Sequence, residues 1–414
     1  MSPSAGRPAL LLALLGLVVL LPRASEAQGA SRPRARDLGI PFGGQAGPLD
    51  AITDVPGVEV GHVTLKAGKV RSGVTAIFPL GRDAVARPVF AATHSLNGSG
   101  EMTGTLWIKE SGLLSGPVML TNTNGIGAVR DGVIAWAQQR DLAWDLGLPV
   151  VAETWDGFLN DIDSFPVKRE HALQAMDAAR PGPVAEGSVG GGTGMICHGF
   201  KGGIGTASRQ LAEDAGGYTV GVLVQCNYGS RRLLSVAGVP VGEELADLLP
   251  CYTGDTAPKG PFTAKLRPCS QRASTAAPLP EGQGSIIVVV ATNAPLLPHQ
   301  LERLARRVPL AIGKMGGLGE NYSGDIFLAF STQAASPPAG APVATVSMID
   351  HERINPLFEA TVQATEESIL NAMLASDTMT SAQGTRVYGL PVDRFVGVMK
   401  KHGRVKDAPA AATR

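Results

Sequence analysis

The sequence is poor in charged and in aromatic residues. Charged residues make up 17% of its 414 residues and aromatic residues 5%, and the 36 Lys and Arg residues balance the 36 Asp and Glu residues. The zero net charge gives no electrostatic footprint for nucleic acid and excludes an acidic solvating tail. Because apolar runs recur along the chain, disorder is a poor description of most of it. We therefore expect a folded protein with no nucleic-acid partner.

The motifs of several common enzyme classes are also missing. The sequence has no HExxH zinc motif, no GxSxG nucleophile elbow and no Walker loop, and its 7 histidines stand apart from one another. A Ser-His-Asp triad stays open, since its members need to meet only in space. The glycine clusters Gly190–Met195 and Lys201–Ser208 resemble phosphate loops only loosely, and we interpret both as tight turns.

Cysteine is scarce, and none of the 4 cysteines has the CxxC spacing of a zinc or redox site. Cys251 and Cys269 flank a stretch rich in Gly, Pro, Thr and Lys, and we predict a disulfide between them after export. Cys226 lies inside an apolar strand pattern and is predicted to be an ordinary buried thiol that stays reduced. Cys197 has no assigned partner.

One apolar run near the N-terminus has the pattern of an export signal. Arg7 precedes the run Ala9–Leu21, and a small-x-small cleavage pattern follows at Ser25 and Ala27. The run is short for a membrane span, and an uncleaved anchor is the alternative. We predict a signal peptide at residues 1–27, a secreted or periplasmic protein, and no membrane contact after removal of the signal.

Strand and helix patterns are interspersed along the rest of the chain. Apolar segments predict strands at Gly57–Leu65, Val74–Leu80, Pro117–Thr123, Leu148–Trp155, Thr219–Asn227, Ser285–Asn293 and Asp325–Thr332. Amphipathic patterns predict helices at Ala128–Asp141, Pro166–Ala179, Pro298–Val308 and Asn355–Ser376. Buried strands among amphipathic helices indicate a layered α/β domain. We expect one structural domain at 38–405, preceded by a disordered basic tail at 28–37.

The segment Thr253–Gln283 is rich in Thr, Ala, Pro, Lys and Ser and has no hydrophobic period. We predict a flexible linker at 253–284, and a structureless stretch this long inside a domain indicates a function. The linker ends at Gly284 and Ser285, directly before a wholly apolar run. These features favour a self-cleavage site between the two residues. The alternative is a linker serine that begins a strand.

A serine released by such a cut would carry its own base. The α-amine of an N-terminal residue has a reference pKa of about 7.7–8.0, so it can accept the hydroxyl proton at neutral pH without a histidine. The preceding glycine allows the strained backbone that an N-to-O acyl shift requires. Ser285 is therefore predicted to be both a new N-terminus and a nucleophile.

Two short segments supply polar groups that such a site could use. In an extended strand, Ser323 and Asp325 share a face, where a hydroxyl and a carboxylate could relay a proton and orient an amine. Glu153 and Trp155 end a buried strand, and a carboxylate beside an indole suits an ammonium ligand. The alternatives are a Ser-Gly-Asp turn for the first segment and an exposed strand end for the second.

A set of stretches follows a known family in order along nearly the whole mature chain, namely Ala51–Leu65, Asn97–Gly104, Thr121–Val133, Glu153–Asp161, Gly190–Arg209, Val222–Gly229, Gly284–Leu296, Asn321–Thr332 and Asn355–Ala372. Through them the chain resembles the DmpA-type L-aminopeptidase/D-esterase family of N-terminal-serine aminopeptidases, which includes β-peptidyl aminopeptidases. The resemblance implies a precursor that cuts itself into chains 28–284 and 285–414, which stay together. It also implies a four-layer αββα sandwich that resembles Ntn hydrolases but has a different strand connectivity.

The resemblance also implies roles for individual residues. Ser285 matches the nucleophile, Asn227 the oxyanion donor, and Glu153 the residue that meets the free amine of the substrate. Ser323 and Asp325 match the pair beside the nucleophile.

The chain departs from this family at two of the matching positions. Relatives have glutamate where Asp325 stands, so the carboxylate here is one methylene shorter. Some have tyrosine where Trp155 stands, and an indole can donate a hydrogen bond but cannot act as an acid.

From these observations we predict a self-processing serine aminopeptidase or amidase. It would release N-terminal residues from peptides or amino-acid amides with a free amino group through an acyl-enzyme, without metal or organic cofactor. The expected partners are the substrate, the two chains of the cut protein and further copies in a homo-oligomer. Hydrolysis of β-peptides, D-amino-acid amides or other amide oligomers is an alternative, and so is an inactive periplasmic binding protein.

Overall fold

Two β-sheets stacked face to face form the centre of the structure, a computed structural model that describes residues 32–142, 148–259, 263–271, 283–334, 343 and 345–405. The predicted signal peptide at 1–27 lies outside these residues. Among them, no helix combines the length and the apolar character needed to cross a membrane.

The strands in this part of the chain are β1 (Glu59–Leu65), β2 (Ser72–Phe78), β3 (Val89–Gly98), β4 (Leu113–Leu114), β5 (Val118–Asn122), β6 (Val150–Thr154), β7 (Ile196–Cys197), β8 (Phe200–Lys201), β9 (Gly203–Gln210), β10 (Thr219–Asn227), β11 (Cys251–Tyr252), β12 (Arg267–Pro268), β13 (Gln283–Thr292), β14 (Tyr322–Ala334), β15 (Met379–Thr380) and β16 (Thr385–Val387). The α-helices are α1 (Thr105–Ser111), α2 (Ile126–Gln138), α3 (Arg169–Asp177), α4 (Val241–Glu244), α5 (Pro298–Ala305), α6 (Val308–Lys314), α7 (Asn355–Leu374) and α8 (Val392–Lys401).

One central sheet has four strands in the order β1-β2-β5-β6, and the other has six in the order β4-β3-β14-β13-β10-β9. Strand β13 shows why both faces of the larger sheet are covered. Because successive side chains of a strand alternate between its faces, Ile287 and Val289 pack toward the smaller sheet, whereas Ile286 and Val288 pack toward helices. A strand that is apolar on both faces therefore belongs in the middle of a layered structure.

Helices cover the outer face of each sheet. Helices α2 and α3 pack on the smaller sheet through a cluster that includes Val133, Trp136 and Met176. Helices α5, α6 and α7 pack on the larger sheet through a cluster that includes Leu301 and Leu370. The order of layers is helix, sheet, sheet, helix, which confirms the predicted αββα architecture.

The two glycine clusters have different structures. Gly190–Gly192 forms a tight 3-10 turn, as expected from the sequence. The prediction of a turn at Lys201–Ser208 is wrong, because most of this segment is strand β9. Small residues allow β9 to lie close to α7: a Cβ added at Gly205 would be 2.0 Å from the carbonyl oxygen of Ser368.

The folded part begins earlier than the predicted boundary at Leu38. The guanidinium of Arg34 lies 2.8 Å from the carboxylate of Glu186 and 3.1 Å from that of Asp50. Arg36 pairs with the buried Glu367 at 3.0 Å. The prediction of a disordered tail is therefore corrected for this segment, because its basic side chains neutralise carboxylates that the fold buries.

The linker predicted at 253–284 is also partly ordered. Strand β12 pairs in parallel with β11, Leu266 is buried, and a disulfide joins Cys251 to Cys269 with their Cα atoms 5.0 Å apart. Residues 260–262 and 272–282 of the predicted linker lie outside the described residues. The disulfide and the short strand pair explain why a segment without hydrophobic period still packs here.

The expectation of a free thiol at Cys226 is wrong, because this residue forms a disulfide with Cys197. The two Cα atoms are 5.6 Å apart, a separation typical of a disulfide. The partner comes from the short β7–β8 hairpin, which lies beside the end of β10. No periodicity in the sequence indicates this hairpin, so the partner of Cys226 could not be identified from the apolar strand alone.

Candidate active site

Ser285 lies near the beginning of β13, between β10 and β14 in the middle of the larger sheet. It is opposite Asn227 on the antiparallel strand β10 and opposite Gly324 on the parallel strand β14. Ser285 and Ile287 are two residues apart in the strand, so their side chains point to the same face. That face is the one toward the space between the two sheets. The side chain is 5% exposed, and its Oγ accepts a hydrogen bond of 3.1 Å from the Gly324 amide. The hydroxyl is therefore held in place by the neighbouring strand.

The residue before Ser285 must be a glycine because of the backbone geometry at that position. Its φ is +145°, a conformation that residues with a side chain rarely adopt. A Cβ at this position would lie 2.2 Å from the carbonyl oxygen of Asn227. The bond predicted to be cut thus has glycine on one side for two independent reasons, backbone conformation and close contact with β10.

Ser285 opens onto a cavity of about 430 Å³ between the two sheets. The residues that line it are Ser99, Thr123, Glu153, Trp155, Gly284, Ser285 and Tyr322. The smaller sheet contributes Glu153 from β6, and the larger sheet contributes Ser285 from β13. The structure thus brings the predicted nucleophile and the predicted ammonium ligand into one cavity, from opposite layers of the sandwich.

Glu153 is 4% exposed, and each of its carboxylate oxygens accepts a hydrogen bond. The Glu101 amide donates to Oε1 at 3.0 Å, and the Thr123 hydroxyl donates to Oε2. Burial raises the pKa of Glu153, while these two hydrogen bonds act in the opposite direction. A buried carboxylate held in this way binds a cation well, because a positive charge in the cavity would compensate the cost of its desolvation.

Trp155 contributes to the site through its indole and through its backbone. The ring lies edge-on to Phe158, with 5.5 Å between the ring centroids. A Cβ at Gly157 would lie 2.3 Å from the ring, so a glycine is needed there to leave room for the indole. The Trp155 carbonyl accepts a 2.9 Å hydrogen bond from Nδ2 of Asn227. The side chain shapes the cavity, and the carbonyl positions the neighbouring amide.

The amide of Asn227 is fixed at both ends. Its Oδ1 accepts a 2.8 Å hydrogen bond from the Ile196 amide, and its Nδ2 gives one hydrogen to the Trp155 carbonyl. A primary amide has a second hydrogen on the same nitrogen. Because Asn227 is paired with Ser285 in the sheet, that hydrogen is available beside the nucleophile, where an oxyanion would form.

Ser323 and Asp325 share a face of β14, as their spacing predicts. The Ser323 hydroxyl donates to Oδ1 of Asp325 at 2.6 Å, and both side chains are buried. Burial raises the pKa of Asp325 to about 6; the nearby Glu320 adds to the rise, and hydrogen bonds from Ser323 and from the Ile286 amide oppose it.

The pair lies on the other side of the strand plane from the Ser285 hydroxyl. Asp325 is opposite Ile286, whose side chain packs on the helix side of the sheet, whereas Ser285 is opposite Gly324. The backbone nitrogen of Ser285 lies in the plane between the two faces. The pair can therefore serve the amine of a cut Ser285, whereas the hydroxyl itself contacts the Gly324 amide.

Three of the groups that hold Glu153 and Asn227 illustrate what was missed in the sequence. Two are backbone amides, at Glu101 and Ile196, and a backbone donor leaves no residue-type signal. The third is Thr123, which lies in one of the stretches shared with the known family but was given no role. Its hydroxyl becomes significant only once β5 and β6 are paired side by side.

The comparison with known proteins agrees with this geometry. The model of peptidase family S58 matches residues 50–387. A β-peptidyl aminopeptidase BapA from Sphingosinicella microcystinivorans is 48% identical over 402 residues, which cover 94% of this chain and 97% of that protein. BapA from Sphingosinicella xenopeptidilytica is 43% identical over 401 residues, which cover 94% of this chain and 95% of that protein.

Among solved structures, the L-aminopeptidase D-Ala-esterase/amidase from Ochrobactrum anthropi is similar with a TM-score of 0.79 and 42% identity, over 91% of this chain and 100% of that one. It is described as a prototype for the serine aminopeptidases and a new variant of the Ntn hydrolase fold. A β-aminopeptidase from a Burkholderia species has a TM-score of 0.77 and 46% identity, over 90% of this chain and 99% of that one. The chain therefore belongs to peptidase family S58 and is an N-terminal-serine aminopeptidase.

Proposed function

We propose that the chain cuts itself between Gly284 and Ser285 and that Ser285 is then the nucleophile. The observation that carries the proposal is the cavity in which Ser285 faces Glu153, a buried carboxylate suited to an ammonium group. An enzyme that removes one residue from a peptide must recognise where the chain begins. The ammonium group is the only mark that all unblocked peptides share at that end.

In the proposed reaction, the Ser285 Oγ attacks the first carbonyl of the substrate and forms a C–O bond. Its proton passes to the α-amine of the same residue, whose reference pKa is about 7.7–8.0. The second Nδ2 hydrogen of Asn227 stabilises the oxyanion, an interaction typically worth about 3–4 kcal/mol. The C–N bond then breaks, and the leaving amine takes the proton. Water hydrolyses the acyl-enzyme with the same amine as base.

Ser323 and Asp325 hold the amine in this scheme. The hydroxyl hydrogen of Ser323 is donated to Asp325, so the ionised carboxylate and the Ser323 oxygen are both acceptors, and each can accept a hydrogen bond from an N–H of the amine in either of its protonation states. With a pKa of about 6, Asp325 is mostly charged at neutral pH. The aspartate, one methylene shorter than the glutamate of relatives, is held toward the strand by the Ile286 amide and by Ser323.

The substrates proposed here are peptides and amino-acid amides with a free amino group, including those that begin with a β-amino acid. The names of two relatives, β-peptidyl aminopeptidases at 48% and 43% identity, favour acceptance of a β-amino acid. An amidase or esterase activity on D-alanine derivatives is the second candidate, favoured by the name of the Ochrobactrum anthropi relative. The alternative of an inactive binding protein has no observation in its favour.

We extend the proposal to export and assembly. The pattern at residues 1–27 supports a cleaved signal and a secreted or periplasmic enzyme. We also propose a homo-oligomer, as the resemblance to the DmpA-type family implies.

The proposal is tested by denaturing gel electrophoresis with N-terminal sequencing, followed by assays on p-nitroanilides of L-, D- and β-amino acids. We expect one chain to begin Ser-Ile-Ile-Val. We also expect hydrolysis of anilides that have a free amine and little hydrolysis of their acetylated forms. A wild-type protein that is active as one uncut chain would contradict the proposal. The order of rates among the three anilide classes decides between the two candidate specificities.

A further inference from the structure

Lys201 is a buried lysine near the site that the reaction described above does not use. It is 0% exposed, and its Nζ donates to the backbone carbonyls of Gly202 at 2.8 Å, Met195 at 2.9 Å and Gly192 at 3.4 Å. Within the described ranges, no carboxylate forms an ion pair with it. Burial lowers the pKa of Lys201 to about 7, and the charge of Asp156 acts in the opposite direction, so about half of the molecules carry the ammonium at neutral pH. A buried ammonium is costly, so one that donates to three carbonyl groups requires an explanation.

The carbonyl of Met195 belongs to the same peptide group as the amide of Ile196. That amide donates to Oδ1 of Asn227 at 2.8 Å. Strands β7 and β8 place Ile196 directly opposite Lys201. One peptide group therefore accepts a hydrogen bond from a buried cation on one side and donates a hydrogen bond to the proposed oxyanion donor on the other.

Two amide groups in series can transmit polarisation. A cation that donates to an amide oxygen draws electron density toward that oxygen and makes the N–H of the same amide a stronger donor. The strengthened N–H of Ile196 then acts in the same way on the side-chain amide of Asn227. Lys201 is fully buried, and the low dielectric of the interior makes its interaction with the peptide group stronger than it would be in water.

The glycine turn makes this arrangement sterically feasible. A Cβ at Gly191 would lie 2.1 Å from Oε1 of Gln225, and one at Gly192 would lie 2.4 Å from the Ile204 nitrogen. Only glycine lets the turn pass this close to β10 and β9. The Gly192 carbonyl can then reach Nζ of Lys201.

We propose that Lys201 is a positioning residue for the reaction. It orients and polarises the Met195–Ile196 peptide, which in turn orients and polarises the amide of Asn227. The inference rests on the proposed role of Asn227 as oxyanion donor. It gives the glycine-rich segment around Gly190–Gly202 a function in transition-state stabilisation, with no contact between Lys201 and the substrate.

The test compares Lys201→Gln and Lys201→Met with the wild type. Glutamine keeps a neutral donor, and methionine keeps only the volume. Because loss of a whole oxyanion donor costs about 10²–10³ in kcat, we expect kcat to fall about 10-fold for the glutamine variant and about 50-fold for the methionine variant. KM should stay within about 2-fold, since the ammonium site is untouched. An aminoalkyl boronic acid, which forms a tetrahedral adduct with the serine, should bind more weakly in proportion to kcat.

Two controls separate this role from a general loss of stability. Arg209→Met removes another buried cation, which lies 2.7 Å from Glu367 and away from the site; it should lower the melting temperature without lowering kcat per cut molecule. In an Asn227→Ala background, Lys201→Gln should have little further effect on kcat, because the two residues act through one donor. Activity is expressed per molecule with a free Ser285 terminus, because the same donor also serves self-cleavage.

The outcomes distinguish the inference from the proposed function. An unchanged kcat in Lys201→Gln would overturn the inference. So would a double variant whose loss of kcat equals the product of the losses in the Lys201 and Asn227 single variants. An active Ser285→Ala variant would overturn the proposed function instead. Should Lys201→Met fail to fold, Lys201→Gln and the double-mutant cycle still carry the test.

Discussion

The two carboxylates of the site, Glu153 and Asp325, occupy opposite layers but have similar surroundings. Both are buried, burial raises the pKa of each, and each accepts a hydrogen bond from a hydroxyl and one from a backbone amide. Their positions differ: Glu153 lines the cavity, whereas Asp325 lies on the helix side of the sheet. Each can serve an amine, but not the same one. In the proposed reaction, Glu153 binds the ammonium of the substrate, and Asp325, which accepts a hydrogen bond from the neighbouring Ile286 amide, holds the amine of the cut Ser285.

This comparison explains how one site can handle two amines that need opposite protonation states. The substrate amine must be charged to be recognised, and the serine amine must be neutral to act as a base. Within the part of the chain that the structure describes, no cationic side chain pairs with Glu153, so this carboxylate favours an ammonium in the first position. In the second position, the aspartate already accepts hydrogen bonds from Ser323 and from the Ile286 amide. These bonds stabilise its charge, so it favours a positive charge on the serine amine less strongly.

The largest effect is expected from removing the serine that Asp325 serves. Ser285→Ala lacks the hydroxyl needed for the acyl shift and for the reaction itself. The variant should remain one chain of full length and show no measurable hydrolysis of p-nitroanilides. Electrophoresis and sequencing of the purified variant check both parts. Ser285→Cys is the matched control, because a thiol can still perform the acyl shift and should give some cut protein.

A smaller but still large effect is expected from Asp325→Asn. A neutral amide stabilises the ammonium that forms when the serine amine accepts the proton less well than a carboxylate does, so kcat should fall about 10³-fold, within the range for general-base catalysis. KM should change little, because Glu153 is untouched. Asp325→Glu restores the charge and the length found in relatives and should recover most of kcat. An equal loss in both variants would show that the charge is not what matters.

Glu153→Gln should affect the recognition of the substrate amine, in contrast to Asp325→Asn, which should affect kcat. The ammonium loses a charge-assisted hydrogen bond worth about 1.5–3 kcal/mol, so kcat/KM for free-amine substrates should fall about 100-fold. The difference between free and acetylated substrates should become much smaller. Self-cleavage should continue, because the Gly284–Ser285 bond has no free amine beside it. Equal rates for free and acetylated peptides in the wild type would mean that Glu153 does not bind the ammonium.

The dependence of activity on pH sharpens the same comparison. The serine amine must be neutral and both carboxylates must be charged, so kcat/KM should fall as the pH drops below the reference pKa of the amine, about 7.7–8.0, and should fall more steeply below about 6, where Asp325 takes up a proton. This is the direction for an acid whose ionised form is active and whose pKa is raised. The Asp325→Glu variant should shift the pH at which kcat/KM falls on the acidic side. A substitution of Thr123, which donates to Glu153, should shift that pH only if the ionisation of Glu153 determines it. Profiles of kcat/KM for the three proteins make the assignment.

The smallest effect on activity is expected at the disulfide between Cys251 and Cys269, which lies apart from both carboxylates. Its loop spans 18 residues of separation, so replacing both cysteines with serine should cost about 3 kcal/mol of the free energy of unfolding. The kcat of the cut enzyme at low temperature should stay within about 2-fold of the wild type. Denaturant unfolding and steady-state kinetics on the same samples test the two statements together.

The regular elements with strong periodicity were predictable from the sequence. Strand β10 has the predicted bounds Thr219–Asn227, and α7 begins at the predicted Asn355. Strands β3 and β9 were missed, because their mixture of small and polar residues masks the alternation of a strand. Their place in the sheet is decided by packing against distant elements, such as α7 for β9.

The side chains of the site could be predicted from the sequence, but the backbone groups that hold them in place could not. Ser285 and Glu153 were identified as site residues from their positions, and Asn227 through the resemblance to the family; the structure brings the three together. The Ile196 and Glu101 amides could not be identified, since every residue except proline has one. The disulfide of Cys226 and the ion pairs of Arg34 join segments far apart in the chain, and no local pattern encodes such contacts.

Gly284 lines the same cavity as Glu153, directly before the bond that is proposed to break. In the uncut chain, Gly284 is therefore part of the wall of the site, and the nitrogen proposed as the base is still part of a peptide bond. Under the proposed self-cleavage, the precursor is a zymogen that activates itself. Because activation is then intramolecular, the half-time of activation should not depend on protein concentration.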